Sequence, residues 1–200
     1  MLTLYDADRC PYCARVRIVL AEKATEYETV SVDLDERPPW VYDLNPTGRV
    51  PILDDDGLVL AESRVLMEYL EERFPEPRLL PSDSGERALV RLRLERFEQV
   101  LGDPYYTFRR EPSSGPARAA LAAAIDDLAE LLTRQPYLSG DEYGLADCGY
   151  LPWIFRADAA LGLDVRSRTS LASWLERVQE RPPVAREWAL IGESQLGRSS

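Results

Sequence analysis

The sequence predicts two differently built halves: an α/β domain over residues 1–75 and an all-helical domain over 86–200, joined by a linker at 76–85. Three observations carry this expectation. Short apolar runs alternate with helical patterns as far as Leu80. The stretch from Pro75 to Gly85 then brings Pro75, Pro77 and Pro81 together with turn-forming residues. From Glu86 onward the apolar residues recur at helical spacing and no segment reads as a strand.

Taken in order, Leu2-Thr3-Leu4-Tyr5 reads as a first strand. A helix follows from Pro11 to Lys23, with Val16, Val19, Leu20 and Lys23 on one side. Tyr27 to Val32 reads as a second strand. Arg37-Pro38-Pro39-Trp40 opens a short helix or irregular turn, which Asn45-Pro46-Thr47-Gly48 closes. Val50 to Leu53, Asp54-Asp55-Asp56-Gly57 and Leu58 to Leu60 form a hairpin pattern, with Asp56-Gly57 as its tight turn. Glu62-Ser63 leads into a helix that turns Leu66, Tyr69, Leu70 and Phe74 inward. The order is βαβαββα, a layered α/β domain of thioredoxin type.

In the second half, Val90, Leu94, Phe97 and Leu101 mark one helix, and Leu121, Ile125, Leu128 and Leu132 another. Glu111 to Pro116 separates them. Further helices are expected from near Leu145, around Trp174, Leu175 and Val178, and as a short last one from Pro182-Pro183, with a frayed tail over Gly192 to Ser200.

Composition narrows the function. At 200 residues and 45% hydrophobic content the chain can bury a substantial core. No apolar stretch approaches the roughly 20 residues needed to span a bilayer, and a signal-like start is lacking, so a cytoplasmic protein without a membrane anchor is expected. The net charge of -11 opposes direct nucleic-acid binding. The sequence contains no histidine, which removes Ser-His-Asp and Cys-His catalysis and most transition-metal sites together.

Within that frame Cys10-Pro11-Tyr12-Cys13 is the informative motif. It stands between the first strand and the first helix, which delivers Cys10 to free backbone N–H groups and the positive dipole end. Cysteines so placed titrate at about 3.5 to 7.5, and the thiolate is the attacking form. Cys10 is thus the candidate nucleophile, Tyr12 its flanking residue, and Cys13 either a resolving thiol or a core residue. Arg17, one helical turn on, is expected to add positive field. A C-x-x-C pair is also half of a zinc site, but the chain has no second pair; Cys148, in an apolar helical stretch, reads as a small core hydrophobe. No metal is expected.

The two-part organisation and the cysteine at the first helix together resemble the cytosolic glutathione transferase family over nearly the whole chain. Cys10-Pro11-Tyr12-Cys13 resembles the omega class and two-domain glutaredoxins, in which cysteine replaces tyrosine or serine and forms a mixed disulfide with glutathione. That resemblance implies a glutathione-dependent thiol transferase of glutathione transferase fold, with glutathione conjugation to electrophiles as the competing activity. It makes Val50-Pro51 the cis-proline turn that pairs with the glutathione backbone. Glu62-Ser63 becomes the pair holding the γ-glutamyl end, with Ser63 also capping the following helix. Arg37 takes the place of a residue that holds the glycine carboxylate, or is a solvated arginine. Gly144-Leu145-Ala146-Asp147 resembles the family's helix-capping motif with glycine in place of its hydroxyl residue, which leaves half of the capping box missing. Tyr105, Tyr106, Phe108, Arg109, Trp153 and Arg156 are either acceptor-site residues or core packing.

The segments from Val16 to Lys23, from Glu62 to Pro75 and from Ser139 to Cys148 also resemble the stringent starvation protein A branch, whose members share the fold and bind RNA polymerase. The sequence departs from that branch in having Cys10 and Cys13, and in placing Glu76 where the branch commonly has histidine. Family resemblance further implies a homodimer, with the charged helix face of Glu86, Arg87, Arg91, Glu95 and Arg96 as part of its interface or simply a solvated surface.

Overall fold

A computed structural model describes the backbone of residues 1–196, and the side chains of that span apart from 159, 160 and 192–196. The chain divides into two compact units, Met1–Arg78 and Leu79–Ser200.

In the first unit the order is β1 (Leu2–Asp6), α1 (Pro11–Glu22), β2 (Glu28–Ser31), α2 (Trp40–Leu44), β3 (Ile52–Asp55), β4 (Leu58–Ala61) and α3 (Ser63–Arg73). The strands form one sheet in the order β2-β1-β3-β4. β1 and β2 are parallel, as a helical crossover requires, while β3 runs antiparallel to both β1 and β4. Asp56 and Gly57, both at positive φ, make the tight hairpin turn.

Side-chain alternation gives the sheet two covered faces. Leu4 and Leu53, cross-strand partners, are fully buried on one face. Tyr5 and Ile52, the next pair, turn to the other, where Tyr5 lies 5.5 Å from the Trp40 ring of α2. α1 and α3 pack side by side. A buried ion pair from Lys23 to Glu71 joins them, and the same Nζ donates to the Pro77 carbonyl at 2.7 Å. α3 is also fixed to the hairpin: the Tyr69 hydroxyl donates to Asp55 at 2.6 Å and Arg73 Nε at 3.2 Å. Leu66 and Leu70 are buried as the pattern predicts, whereas Tyr69 remains half-buried because it keeps its hydroxyl at that polar contact, and Phe74, at the helix end, is half-buried too.

The second unit is helical: α4 (Ser84–Phe97), α5 (Asp103–Arg110), α6 (Gly115–Leu131), α7 (Leu145–Ala160), α8 (Thr169–Gln179) and α9 (Pro182–Leu196), with a 3-10 turn at Val165–Ser167. A π-helical turn, Glu98–Gly102, joins α4 to α5 and takes Leu101 out of the regular helix that its spacing predicts. Asp83 caps α4 through the amides of Gly85 and Glu86. α9 is fifteen residues long rather than short, so the expected fraying does not hold over 192–196; residues 197–200 lie outside the described residues. α7 is buried from Leu145 to Ala157, the position of a central helix. Phe97 meets Trp153 at 4.5 Å and Phe155 meets Trp188 at 4.3 Å around it.

The start of α7 corrects the expectation of an incomplete cap. Asp147, at the third helical position, accepts the amide of Gly144 at 3.0 Å, those of Leu138 and Ser139 at 2.8 and 3.1 Å, and Trp174 Nε1 at 2.8 Å. The hydroxyl missing from Gly144 is supplied by Ser139, whose Oγ accepts the Ala146 amide at 3.1 Å. A Cβ on Gly144 would stand 2.3 Å from the Leu79 carbonyl and 2.8 Å from that same Oγ. Glycine at 144 therefore makes room for a capping group brought from five residues earlier.

Ser139→Ala is expected to lower stability by about 1 kcal/mol, as loss of one cap does. Asp147→Ala strands four buried donors and is expected to cost about 4 kcal/mol or more. Urea unfolding of the two variants beside the parent checks both values and their order.

Candidate active site at one end of the sheet

The ladder registers bring four chain segments to the same end of the sheet. Asp6 is the last residue of β1 and pairs with Ser31, the last of β2. Tyr5 pairs with Ile52, the first residue of β3, and Ile52 pairs with Ala61, the last of β4. The exits of β1, β2 and β4 and the entry of β3 thus lie together, and they lead respectively to Cys10, Arg37, Glu62-Ser63 and Val50-Pro51.

Cys10 is the N-cap residue of α1, with extended backbone (φ −84°, ψ 117°) and Pro11 in the first helical turn. Its amide donates to the Ala7 carbonyl at 2.9 Å and its carbonyl accepts the Ala14 amide at 3.0 Å, so the loop is tied on both sides. No side chain caps this N-terminus by a hydrogen bond, and Cys10 carries its sulfur there. The Val50–Pro51 peptide is cis, and Cys10 Sγ lies 3.9 Å from the Val50 carbonyl oxygen. Cys10, Cys13 and Val50 belong to one apolar cluster with Ala7, Val32, Val41 and Ile52, and Tyr12 packs on its edge beneath the Arg15 guanidinium.

The two cysteines differ in access. Cys10 is 8% exposed and Cys13 is 0% exposed. None of the three cysteines is in a disulfide. Burial pushes the Cys13 thiol well above its ordinary range, aided by its hydrogen bond and charge interaction with Cys10 and by the charge of Asp6. Arg17 does not act as an open field on Cys10, as the spacing suggests. Its Nη1 donates to Asp6 Oδ1 at 2.6 Å and its guanidinium reaches the Ala7 and Asp8 carbonyls, so it braces the loop before Cys10.

The loop that presents Val50 is braced by Asn45. Its Nδ2 donates to the Arg49 carbonyl at 2.9 Å, and its Oδ1 accepts from the Thr47 hydroxyl at 3.0 Å. Gly48 has φ +65°, and a Cβ there would lie 2.4 Å from the Tyr42 ring, so both backbone and space exclude a side chain.

Glu62, not Ser63, is the N-cap of α3; Ser63 is its first helical residue and is buried. Glu62 is exposed and has φ +69°, ψ 104°, a strained backbone for a residue with a Cβ, and it caps nothing with its carboxylate. Arg37 stands exposed in the loop between β2 and α2. An ion pair between Arg9 and Asp35 ties that loop to the turn carrying Cys10. Among the second unit's residues, Tyr105, Phe108, Trp153 and Arg156 are buried, Tyr106 is half-buried and Arg109 is exposed. Asp6 escaped the sequence reading, and Asn45 reads there only as a turn residue, not as the brace of the Val50 loop. Asp6 sits where β1 alternates toward a buried face, and that pattern was the available signal.

Residues 4–78 match the model of the glutathione S-transferase N-terminal domain, and residues 86–188 that of the glutathione S-transferase C-terminal domain. The two models together cover most of both the α/β unit and the helical unit. The chain belongs to the glutathione transferase family. It is 37% identical over 188 residues to a stringent starvation protein A homolog of Haemophilus influenzae, spanning 90% of this chain and 87% of that one. It is 30% identical to mouse glutathione S-transferase omega-1, over 90% of this chain and 78% of the relative. Among solved structures, glutathione transferase Omega 3C of Trametes versicolor superposes with a TM-score of 0.81 at 28% identity, over 93% of this chain and 88% of that one.

The raised Cys13 pKa has a definite sign. The folded state holds this proton more tightly than the unfolded one, so stability is full below the ordinary thiol range and falls as pH rises through it. Cys13→Ala is expected to lower stability at neutral pH and to flatten this alkaline loss, by up to about 1.4 kcal/mol for each pH unit above the ordinary thiol pKa. Urea unfolding at neutral and alkaline pH, for both proteins, measures the difference.

Proposed function

We propose that this protein is a glutathione-dependent thiol transferase whose nucleophile is Cys10. One observation carries the reading: the Cys10 sulfur stands at a helix N-terminus that no side chain caps, 3.9 Å from the carbonyl of the residue before a cis proline. In the forward reaction the Cys10 thiolate attacks the glutathione sulfur of a mixed disulfide. A Cys10–glutathione disulfide forms and the acceptor leaves as thiolate. A second glutathione thiolate then attacks the bound glutathione sulfur, which releases glutathione disulfide and restores Cys10.

The sheet end suits the cosubstrate group by group. The Val50 backbone pairs with the cysteine residue of glutathione as an added strand. The γ-glutamyl carboxylate sits at the N-terminus of α3 beside Ser63, and the exposed Glu62 carboxylate pairs with its ammonium. Arg37 holds the glycine carboxylate and Tyr12 flanks the reacting sulfurs. Cys13 is a resolving thiol when its thiolate, in place of a second glutathione, attacks the Cys10 sulfur, forming the Cys10–Cys13 disulfide and releasing the bound glutathione as thiolate. Cysteines held outside disulfides suit a cytoplasmic setting. A homodimer accords with Leu89 and Leu92 exposed among the charges of α4.

A second reading is favoured by the 37% identity to the Haemophilus influenzae relative, above the 30% to the omega enzyme. In it the chain is a regulator that binds RNA polymerase through the retained fold, with activity independent of Cys10. Glutathione conjugation is the remaining enzymatic alternative and would survive Cys10→Ser.

Incubation of the reduced protein with glutathione disulfide, followed by intact-mass measurement, is expected to show a glutathione adduct or an internal disulfide in the parent and neither in Cys10→Ser. An unmodified Cys10, under conditions that modify a control thiol, moves the polymerase-binding reading ahead. Glu62→Gln removes one charge-assisted contact, and is expected to raise KM for glutathione about tenfold with kcat little changed. Steady-state thiol-transfer kinetics check that split.

A further inference from the structure

Asp6 has no part in the thiol transfer just described, yet it is 3% exposed and adjoins Ala7, which shares the apolar cluster of Cys10 and Cys13. Its Oδ1 accepts Arg17 Nη1 at 2.6 Å and the Ala7 amide at 2.7 Å. The same Ala7 amide is the backbone donor that reaches the Cys13 sulfur, and Asp6 adds its negative charge at that sulfur. The carboxylate therefore acts on Cys13 in two ways. It repels a thiolate there, and it competes for the amide that a thiolate would use.

Among the described residues the Ala7 amide is the group that favours a thiolate at Cys13, and no cation is seen to do so. Its cluster partners Val32, Val41, Val50 and Ile52, from the β2 exit, α2 and the entry of β3, are apolar. On α1 itself Cys10 faces it, and its charge acts in the same direction as that of Asp6. α3, packed on α1, presents Glu71 to Lys23. The positive charge of Arg17 is bound to Asp6 and to the Ala7 and Asp8 carbonyls.

We propose that Asp6 is a positioning residue that biases how the Cys10–glutathione disulfide is resolved: held by Arg17 and seated on the Ala7 amide, its carboxylate adds to burial in opposing attack by Cys13 and favours resolution by a second glutathione at neutral pH. This rests on the thiol-transferase reading. The suppressed route is fully balanced. Cys13 loses its proton to solvent, its thiolate attacks the Cys10 sulfur, the Cys10–Cys13 disulfide forms, and glutathione leaves as thiolate. Formation of the mixed disulfide removes the Cys10 charge, so Asp6 is then the remaining negative side chain acting on Cys13. In Asp6→Asn an amide oxygen can still take the Ala7 N–H, the negative charge is gone, and the Arg17 charge is released.

The test has two arms. In the first, the Cys10–glutathione adduct is prepared with glutathione disulfide, and its conversion to the internal disulfide is followed by acid quench and intact mass across pH. The parent is expected to convert only at alkaline pH. Asp6→Asn is expected to shift the profile to lower pH and to convert about tenfold faster at pH 7. A folded Asp6→Asn with the parental profile overturns the proposal. So does a parent that already converts at its maximal rate at pH 7, a measurement that requires no substitution at Asp6. In the second arm, thiolate absorbance of Cys10→Ser/Cys148→Ala is titrated with and without Asp6→Asn. It involves no glutathione, so it separates failure of this proposal from failure of the thiol-transferase reading. Cys13 ionising in the ordinary thiol range while Asp6 is present sinks the assignment.

Discussion

The register of the β1–β3 ladder sets Leu4 against Leu53 and Tyr5 against Ile52, and the arrangement of the candidate site depends on it. Because successive strand residues face opposite sides, a slip of one residue would exchange the two faces of the sheet. Ile52 would leave the cluster that holds Cys10 and Cys13, and Val50 would lose its place beside the Cys10 sulfur. The hairpin to β4 extends the same register, so the strained backbone of Glu62 emerges next to the cis-proline turn rather than at the far end. A loop, two turns and a helix start are thus placed by one set of backbone hydrogen bonds.

Much of this was legible in the residues, and the exceptions share a cause. Periodicity located β1, α1, the Asp56-Gly57 hairpin and α3 because each is a local pattern, and Cys10 could be assigned to a helix start because strand and helix signals lie on either side of it. Contacts between residues distant in sequence leave no such local trace. Arg17 looks like a helical arginine one turn beyond Cys10; only the fold returns β1 alongside α1 and supplies Asp6 as its partner. Lys23 was assigned to the inward side of α1 by spacing, but its partner Glu71 lies forty-eight residues away.

The α7 cap shows the same limit in another form. Gly144 at an N-cap position reads as a loss of one hydrogen bond, and only the folded 138–144 turn reveals Ser139 in the vacated space with the Leu79 carbonyl beside it. Asp147 then has a wider role than capping. It gathers two amides of that turn, the helix start and the indole of α8 around one buried carboxylate, which gives the central helix both its beginning and a fixed relation to α8. Burial pushes the Asp147 carboxyl up from its ordinary range, and the Trp174 indole, the Ser139 side chain and the surrounding amides oppose that shift.

Lys23 is the sole lysine of the sequence, and its side chain is 0% exposed between Glu71 and the Pro77 carbonyl. A protease that cuts only after lysine therefore has a single target in the chain, and it lies at the junction of α1 and α3. Cleavage there reports the opening of that helix pair and is blind to every event in the helical unit. The molecule thus carries an internal gauge of local unfolding in the half that holds Cys10, readable on a gel without any added label.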